Sequence, residues 1–380
     1  MAQRLKTDWV LFFTILGMVC FGLVMVYSTS TVIAELKLGK APTYFFVRQF
    51  GWAVGSFLLL LYCTKKDYRR WNDPKYAFAA LGIVVLLLVV VYFADPKSHR
   101  WLKLLSFSLQ PSELAKPALA LFLSYFLSGR LGVINNKYTL LPLVVSICAM
   151  AFFVAVADLG TAVVIVATTV FVIYVAGLDH RYLVGTMAIL VLLGGVFIVM
   201  KPYRLNRLLN FVDPQHTLIA KVDPSGYLLK YAHNTASTID PTYQQRQAKI
   251  AVGSGGITGM GIMQGRQKML YLPESHTDMI YAVVGEETGL FGCVLLLGGF
   301  MVILWRGLRL YWNAADDFGR YLALSVTVCV VVQALINISV VLDLGPTKGI
   351  PLPFISYGGS SLMSTLLLMG MLLSVSEHAS

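Results

Sequence analysis

Long uninterrupted runs of apolar side chains are the feature that most constrains this chain. Residues 81–93 contain no charged or amide side chain, and similar runs recur along the whole sequence. A membrane's hydrocarbon core is about 30 Å thick and requires about 20 apolar residues in a helix to cross it. Only 13% of the residues are charged and 57% are hydrophobic, whereas soluble domains carry about 25% charged residues. The chain is therefore predicted to be a polytopic membrane protein.

Apolar blocks of about 17–25 residues predict an all-α fold with ten transmembrane helices in a single domain that covers residues 1–380. The predicted spans are 9–28, 47–63, 76–94, 113–129, 139–157, 159–177, 182–200, 278–305, 320–342 and 354–376. The fifth and sixth blocks are separated only by a short stretch around Asp158, which predicts a tight turn. No cleavage site follows the first block, which we expect to remain as a membrane anchor.

The distribution of basic residues predicts the orientation. The short segments on the side of the N-terminus hold thirteen Lys or Arg, against seven in the opposite short segments. Because cytoplasmic loops carry the excess of positive charge, both termini are predicted to be cytoplasmic. The net charge of +11 follows from this loop pattern, so no nucleic-acid partner is expected.

Residues 201–277 then form a large extracytoplasmic loop between the seventh and eighth helices. The loop contains nine Lys or Arg, which leaves the predicted topology intact because long loops do not obey the charge rule. A cationic outer loop fits either a docking surface for anionic lipid or a partner, or the floor of a site for a phosphorylated substrate.

Ionisable residues in or beside apolar blocks need a partner or a function, because each costs roughly 2.5–3.5 kcal/mol at a helix centre. Glu113 and Lys116 are three residues apart on one helical face, so they form either an ion pair or a site in which Lys116 reaches a phosphate. Asp158 is interpreted as the cap of the following helix. Glu286 and Glu287 are expected to have internal salt bridges or hydrogen bonds and a mainly structural role.

Two irregular segments lie near the last three predicted spans. One precedes the eighth span, and the other connects the ninth span to the tenth. The glycine-rich run 253–265 satisfies no nucleotide-binding fingerprint and is interpreted as backbone lying close to a membrane surface or a ligand. It leads into His276, Thr277 and Asp278, where polar loop becomes apolar helix; the simplest interpretation of Thr277 or Asp278 is a helix cap. Residues 345–359 contain three prolines and four glycines, which favours irregular backbone lining a cavity.

In their order and spacing, these segments resemble the SEDS family (shape, elongation, division and sporulation) of FtsW/RodA-type peptidoglycan polymerases. The resemblance covers almost the whole chain and is closer to the FtsW division branch. Its landmarks are residues 110–113, 158–161, 204–214, 253–256, 276–278 and 353–361. Three features depart from the family pattern, namely Ala157 in place of a usual proline, a long insert at residues 215–242 and Ala248 in place of a usual serine.

The resemblance implies a peptidoglycan glycosyltransferase in the bacterial cytoplasmic membrane that polymerises lipid II at the extracytoplasmic face, for septal wall synthesis. A sugar 4-hydroxyl would attack, with inversion, the anomeric carbon that carries undecaprenyl pyrophosphate, and Asp278 would be the catalytic base. The remaining residues are implied to bind substrate. They are Arg100, Trp101, Glu113, Lys116, Asp158, Arg204, Arg207, His276, Thr277, Lys348 and Ser356.

The resemblance further implies a class B penicillin-binding protein as partner, together with other division proteins and membrane lipids. A divalent cation, Mg²⁺ or Mn²⁺, could share in stabilising the pyrophosphate, although no carboxylate cluster identifies its ligands. Two other functions remain open on the sequence. A flippase for the same lipid would use the same cations without needing a base, and a non-catalytic division scaffold would need neither.

Overall fold

The protein is a bundle of long helices, known here from a computed structural model. The structure describes residues 8–95, 98–104, 107–199, 202–213, 241–269, 271–346 and 349–378. The helices are α1 (Trp9–Leu36), α2 (Tyr44–Lys65), α3 (Pro74–Ala94), α4 (Pro111–Ser128), α5 (Lys137–Ala157), α6 (Leu159–Val175), α7 (His180–Val199), α8 (Pro202–Val212), α9 (Pro241–Ser254), α10 (Ile280–Asn313), α11 (Asp317–Val341) and α12 (Gly359–His378). Strands β1 (Leu102–Leu104) and β2 (Phe107–Leu109) pair as an antiparallel hairpin before α4.

Each of the ten predicted spans coincides with a helix. Among the described residues, eight helices are long and apolar enough to cross a membrane, namely α1, α2, α3, α5, α7, α10, α11 and α12. Helix α6 is apolar but has only 17 residues, and α4 carries the buried Glu113 and Lys116. A multi-pass helical membrane fold is therefore confirmed, whereas the count of ten spans stays a prediction.

Helix α11 is the centre of the bundle. One of its sides packs into an apolar cluster formed with α1, α2, α10 and α12, and its other side packs against α4 and α6, in a second cluster that also includes residues of α3 and α5. Helix α7 lies at the periphery, where none of the residues in its most apolar stretch is buried. Exposed apolar side chains on such a helix are consistent with a lipid environment, because contact with apolar lipid tails carries no hydrophobic cost.

Helix starts in this fold follow ordinary capping chemistry. The side chains of Asp8, Asp73 and Asp158 each accept a hydrogen bond from a backbone N–H in the first turn of the helix that follows. Pro74 occupies the first position of α3, where a missing N–H costs nothing. The predicted tight turn at Asp158 is confirmed, since α5 ends at Ala157 and α6 begins at Leu159.

The glycine-rich segment lies against a helix, which corrects its sequence interpretation. A side chain at Gly255 or Gly259 would collide with the backbone of Gly285 or Glu287 in α10. The backbone N–H groups of Met260 and Gly261 donate to carbonyls of α10. Gly255 and Gly259 are therefore explained by close packing of two backbones.

The predicted internal partners of Glu286 and Glu287 are present. Glu286 accepts hydrogen bonds from the backbone N–H groups of Arg266 and Gln267, at 2.7 and 3.1 Å. Glu287 forms a buried ion pair with Lys268 at 2.6 Å and accepts a hydrogen bond from Ser28 Oγ at 2.7 Å. These contacts fasten residues 263–268 to α10.

Candidate functional site

A cavity of about 380 Å³ lies where the ends of α5, α6, α7 and α8 meet the turn that precedes α10. Its lining is unusual for this apolar chain, because six ionisable side chains contribute to it. These are Arg100, Asp158, Arg204, Arg207, Glu274 and Asp278. The three arginines and three carboxylates come from four separate segments, so the fold concentrates charge that is scattered along the sequence.

Asp278 stands on the turn just before α10 begins at Ile280. Part of its surface opens to the cavity, but protein atoms pack densely around the carboxylate, and Gly349 lies directly against it. This burial raises the pKa of Asp278 to about 7, and the neighbouring Glu274 and Asp158 carboxylates act in the same direction. Arg100 and Arg207 oppose the rise in pKa. Asp278 therefore exchanges its proton near neutral pH.

Asp158 holds Arg100 at the cavity. Its Oδ2 accepts hydrogen bonds from the Arg100 guanidinium at 2.9 Å, from Gln110 Nε2 at 3.1 Å and from Thr161 Oγ1 at 3.0 Å. Its Oδ1 caps α6 through the N–H of Gly160 at 2.9 Å. With both oxygens engaged, Asp158 has a positioning role, in which a carboxylate fixes the direction of a cation.

Helix α8 supplies the other two arginines. Arg204 and Arg207 are three residues apart and therefore lie on one face. Arg204 donates to the carbonyls of Phe197 at 3.4 Å and Ala155 at 3.5 Å, which ties α8 to the ends of α7 and α5. A phosphate group in the cavity would meet three guanidinium groups, the side chain best suited to bidentate phosphate binding.

Glu113 and Lys116 are brought together with each other but not with the cavity. Both are 1% exposed, and Lys116 Nζ lies 2.7 Å from Glu113 Oε2 and 2.7 Å from Gln333 Oε1. The ion pair, one of the two predicted alternatives, is thus present inside the bundle. Their contact with substrate stays a prediction.

His276, Thr277 and Ser356 lie on the side of the Asp278 turn that faces α2 and α12. Ser356 Oγ donates to the carbonyl of Thr277 at 2.6 Å. His276 packs between Phe45 and Tyr357, with ring centroids 5.2 and 5.7 Å away, and burial lowers its pKa. These contacts hold the turn in place, and none of the three side chains lines the cavity.

Two further predicted residues give less information. The Trp101 ring lies 5.9 Å from the Arg100 guanidinium, and its backbone N–H lies 3.5 Å from Asp95 Oδ2. Lys348, and most of the insert 215–242, lie outside the described residues. Their predicted roles therefore remain predictions.

Sequence reasoning missed Glu274, which lines the cavity and raises the pKa of Asp278. It also missed neutral amides that organise the site. Gln110 binds Asp158, and Asn337 Nδ2 donates to the backbone carbonyl of Asp278 at 2.8 Å. Glu274 has a positive φ of 54°, which no sequence pattern signals. The amides are neutral, so their presence near apolar blocks does not stand out as that of an ionisable residue does.

Within the described ranges, no group of three or more His, Cys, Asp or Glu side chains could hold a metal ion. Of the three cavity carboxylates, Asp158 already has both oxygens engaged. Among the described residues that line the cavity, Arg100, Arg204 and Arg207 are the cationic groups that an anion would meet.

The sequence model of the FtsW/RodA/SpoVE family, described as cell cycle protein, matches residues 8–380. The chain belongs to this family. The probable peptidoglycan glycosyltransferase FtsW of Geobacter metallireducens is 37% identical over 381 residues, covering 98% of this chain and 95% of that protein. The stage V sporulation protein E of Bacillus subtilis is 34% identical over 384 residues, covering 99% of both.

Solved structures with the same fold are known. A chain from a peptidoglycan synthase complex that coordinates polymerization and crosslinking superimposes with a TM-score of 0.72, at 27% identity and 98% coverage of both chains. The rod shape determining protein RodA of Thermus thermophilus superimposes with a TM-score of 0.67 and 99% coverage, and its 24% identity supports the shared fold alone.

Proposed function

We propose that this protein is a peptidoglycan glycosyltransferase that polymerises lipid II into glycan strands, for septal wall synthesis during division. The observation that carries the proposal is the cavity in which a carboxylate with a pKa of about 7 faces three arginines. The names of the FtsW relatives support the activity and the division role.

Asp278 is the proposed base. The 4-hydroxyl of the acceptor sugar is a weak nucleophile until its proton is removed, and a base works best when its pKa lies near the working pH. Burial brings Asp278 to that range. The deprotonated carboxylate takes the proton while the sugar oxygen forms its bond to the anomeric carbon of the donor, with inversion.

The bond that breaks joins the anomeric carbon to undecaprenyl pyrophosphate, so negative charge develops on the departing phosphate oxygen. Arg100, Arg204 and Arg207 are the proposed groups that stabilise it, because fixed cations in a partly closed cavity act more strongly than in water. Asp158 contributes by orienting Arg100 through their 2.9 Å ion pair. The activated donor supplies the energy, so no nucleotide is required.

The proposed topology has ten spans with both termini in the cytoplasm. In this arrangement α5 ends, α6 begins and α10 begins on the extracytoplasmic side, the same side as the cavity and as loop 201–277. A class B penicillin-binding protein is the proposed partner, in keeping with the synthase complex in which the similar chain was solved.

The test is a polymerisation assay on purified protein in liposomes, with and without its cognate penicillin-binding protein, using labelled lipid II. Wild type should give a ladder of glycan strands, and Asp278→Asn should give none. Asp343→Asn is the matched control, because Asp343 pairs with Lys249 outside the cavity and its loss should leave the ladder.

Thermal unfolding of each variant excludes loss of fold as the cause. A ladder from Asp278→Asn would remove Asp278 as the base. If wild type makes no ladder under any condition, while lipid II still crosses the bilayer, the protein is a flippase; if neither occurs, it is a scaffold.

A further inference from the structure

Two neutral amides on the central helix α11 bind, from outside the cavity, the backbone of segments that line it. Gln333 and Asn337 are four residues apart, so they lie on one face of the helix, and both are 2% exposed. Neither touches the cavity. Their hydrogen bonds instead reach the turn that carries Asp278 and the irregular segment 349–358.

Asn337 joins these two segments with a single side chain. Its Nδ2 donates to the carbonyl of Asp278 at 2.8 Å and to the carbonyl of Ile350 at 2.7 Å. Because both partners are carbonyls, the group that faces them must be the NH₂, and its two hydrogens are both used.

The other end of the amide is left unpaired. Asn337 Oδ1 is buried and has no hydrogen-bond partner among the described residues. A buried acceptor without a partner is destabilising, so the favourable contribution of this side chain comes from its two donors, which pair the carbonyls of Asp278 and Ile350. The side chain thus points to a requirement of the site for its two donors.

Ile350 follows Gly349, and Gly349 packs against the Asp278 carboxylate so closely that any side chain there would collide with Oδ2. Gly349 lines the cavity, so the segment Gly349–Ile350 forms one of its walls. Asn337 binds both Asp278 and Ile350 and therefore fixes the distance between Asp278 and this wall. Gln333 extends the same arrangement, since it accepts from Lys116 Nζ at 2.7 Å and donates to the carbonyl of Pro351 at 2.8 Å.

We propose that Asn337 is a positioning residue for the reaction, which clamps the backbone of Asp278 to the Gly349–Ile350 wall and so sets the orientation and hydration of the base. This inference rests on the proposed function. Asn337 touches no reacting atom, and it acts through Asp278.

The decisive variant is Asn337→Leu, which keeps the branched shape and the number of side-chain heavy atoms and removes both donors. We expect kcat to fall by roughly 10- to 100-fold, as for other misplacements of about 1 Å, with KM for lipid II changed less than about threefold. The loosened wall admits water to Asp278, so the acidic limb of the pH–rate profile should move to lower pH.

A matched control separates positioning from general damage to α11. Leu322→Ala opens a void in the same helix, 15 residues or about 22 Å away along the axis. It should reduce the amount of folded protein without moving KM or the pH profile. If Asn337→Leu behaves like this control, or retains full activity, the proposal is overturned. Should the leucine variant not be recovered, Asn337→Ser keeps one donor and should show a smaller shift of the same kind.

A second readout does not depend on activity. Carbodiimide labelling of the Asp278 carboxyl, followed by peptide mass spectrometry across pH, reports its protonation and accessibility directly. A labelling midpoint that moves to lower pH in Asn337→Leu supports the clamp even if wild type makes no glycan. An unchanged midpoint beside an active wild type rejects the clamp and leaves the proposed function standing.

Discussion

Replacing Asp278 by asparagine should stabilise the protein while it removes the proposed base, and the gain should grow with pH. Burial raises the pKa of this carboxyl from 3.8 to about 7. The folded protein therefore keeps a proton that the unfolded chain releases between about pH 4 and pH 7, so wild type loses stability as pH rises through that window. Asparagine does not titrate, so the stability of the Asp278→Asn variant does not fall with pH through this group.

The size of the effect follows from the two pKa values. Each pKa unit corresponds to about 1.4 kcal/mol, so the free energy of unfolding of wild type is lowered by about 1–2 kcal/mol at pH 5 and by about 4 kcal/mol at pH 8. The advantage of Asp278→Asn should thus increase by about 2–3 kcal/mol between these pH values. In Tm this is a difference of a few degrees, because a chain of 380 residues shifts by less than a domain half its length, for which the shift is about 2–4 °C per kcal/mol.

The assay is thermal unfolding of both proteins in detergent, followed by tryptophan fluorescence at pH 5 and pH 8. Asp343→Asn serves again as the control for loss of a carboxylate outside the cavity. The reasoning is refuted if the Tm difference between Asp278→Asn and wild type is the same at both pH values. In that case Asp278 is already ionised at pH 5, and it is not a base with a pKa near 7.

Three further predictions test other parts of the site and the fold. The kcat/KM for lipid II should rise with pH through about 7 as Asp278 loses its proton; a rate that is flat from pH 5 to pH 8 would contradict this. Arg100→Ala should lower kcat by roughly 10²-fold through loss of leaving-group stabilisation, and Arg100→Lys by less, as measured from the glycan ladder. Lys268→Met should destabilise the fold by roughly 3–5 kcal/mol because it leaves the Glu287 carboxylate buried and unpaired. The double variant with Glu287→Gln should recover part of that loss in thermal unfolding.

The helices were predictable from hydrophobicity, but their ends were not. The first span was predicted as 9–28, yet α1 continues to Leu36, because a helix persists beyond the apolar stretch wherever its hydrogen bonds are met. The last span was predicted to begin at 354, yet α12 begins at Gly359. There Ser356 Oγ and Gln49 engage the backbone before the helix starts.

The site was predictable in its residue types and only partly in its geometry. Asp158 was identified as a helix cap from its position alone, whereas its ion pair with Arg100 joins residues 58 apart and depends on how α5, α6 and the β-hairpin pack. Lys268 lay unnoticed in the loop, although a partner for Glu287 was expected. Pairs of this kind depend on tertiary packing, so they cannot be predicted from the local sequence pattern.

The backbone contact between Gly255 and α10 also has a consequence for engineering. Residues 255–268 are fixed at both ends, by the glycines that touch α10 and by the hydrogen bonds to Glu286 and Glu287. An epitope tag or even one inserted residue within this stretch would have to bulge outward or displace the contacts at one of the two ends. For labelling purposes the stretch should be treated as part of the helix bundle, despite reading in the sequence as an ordinary flexible loop.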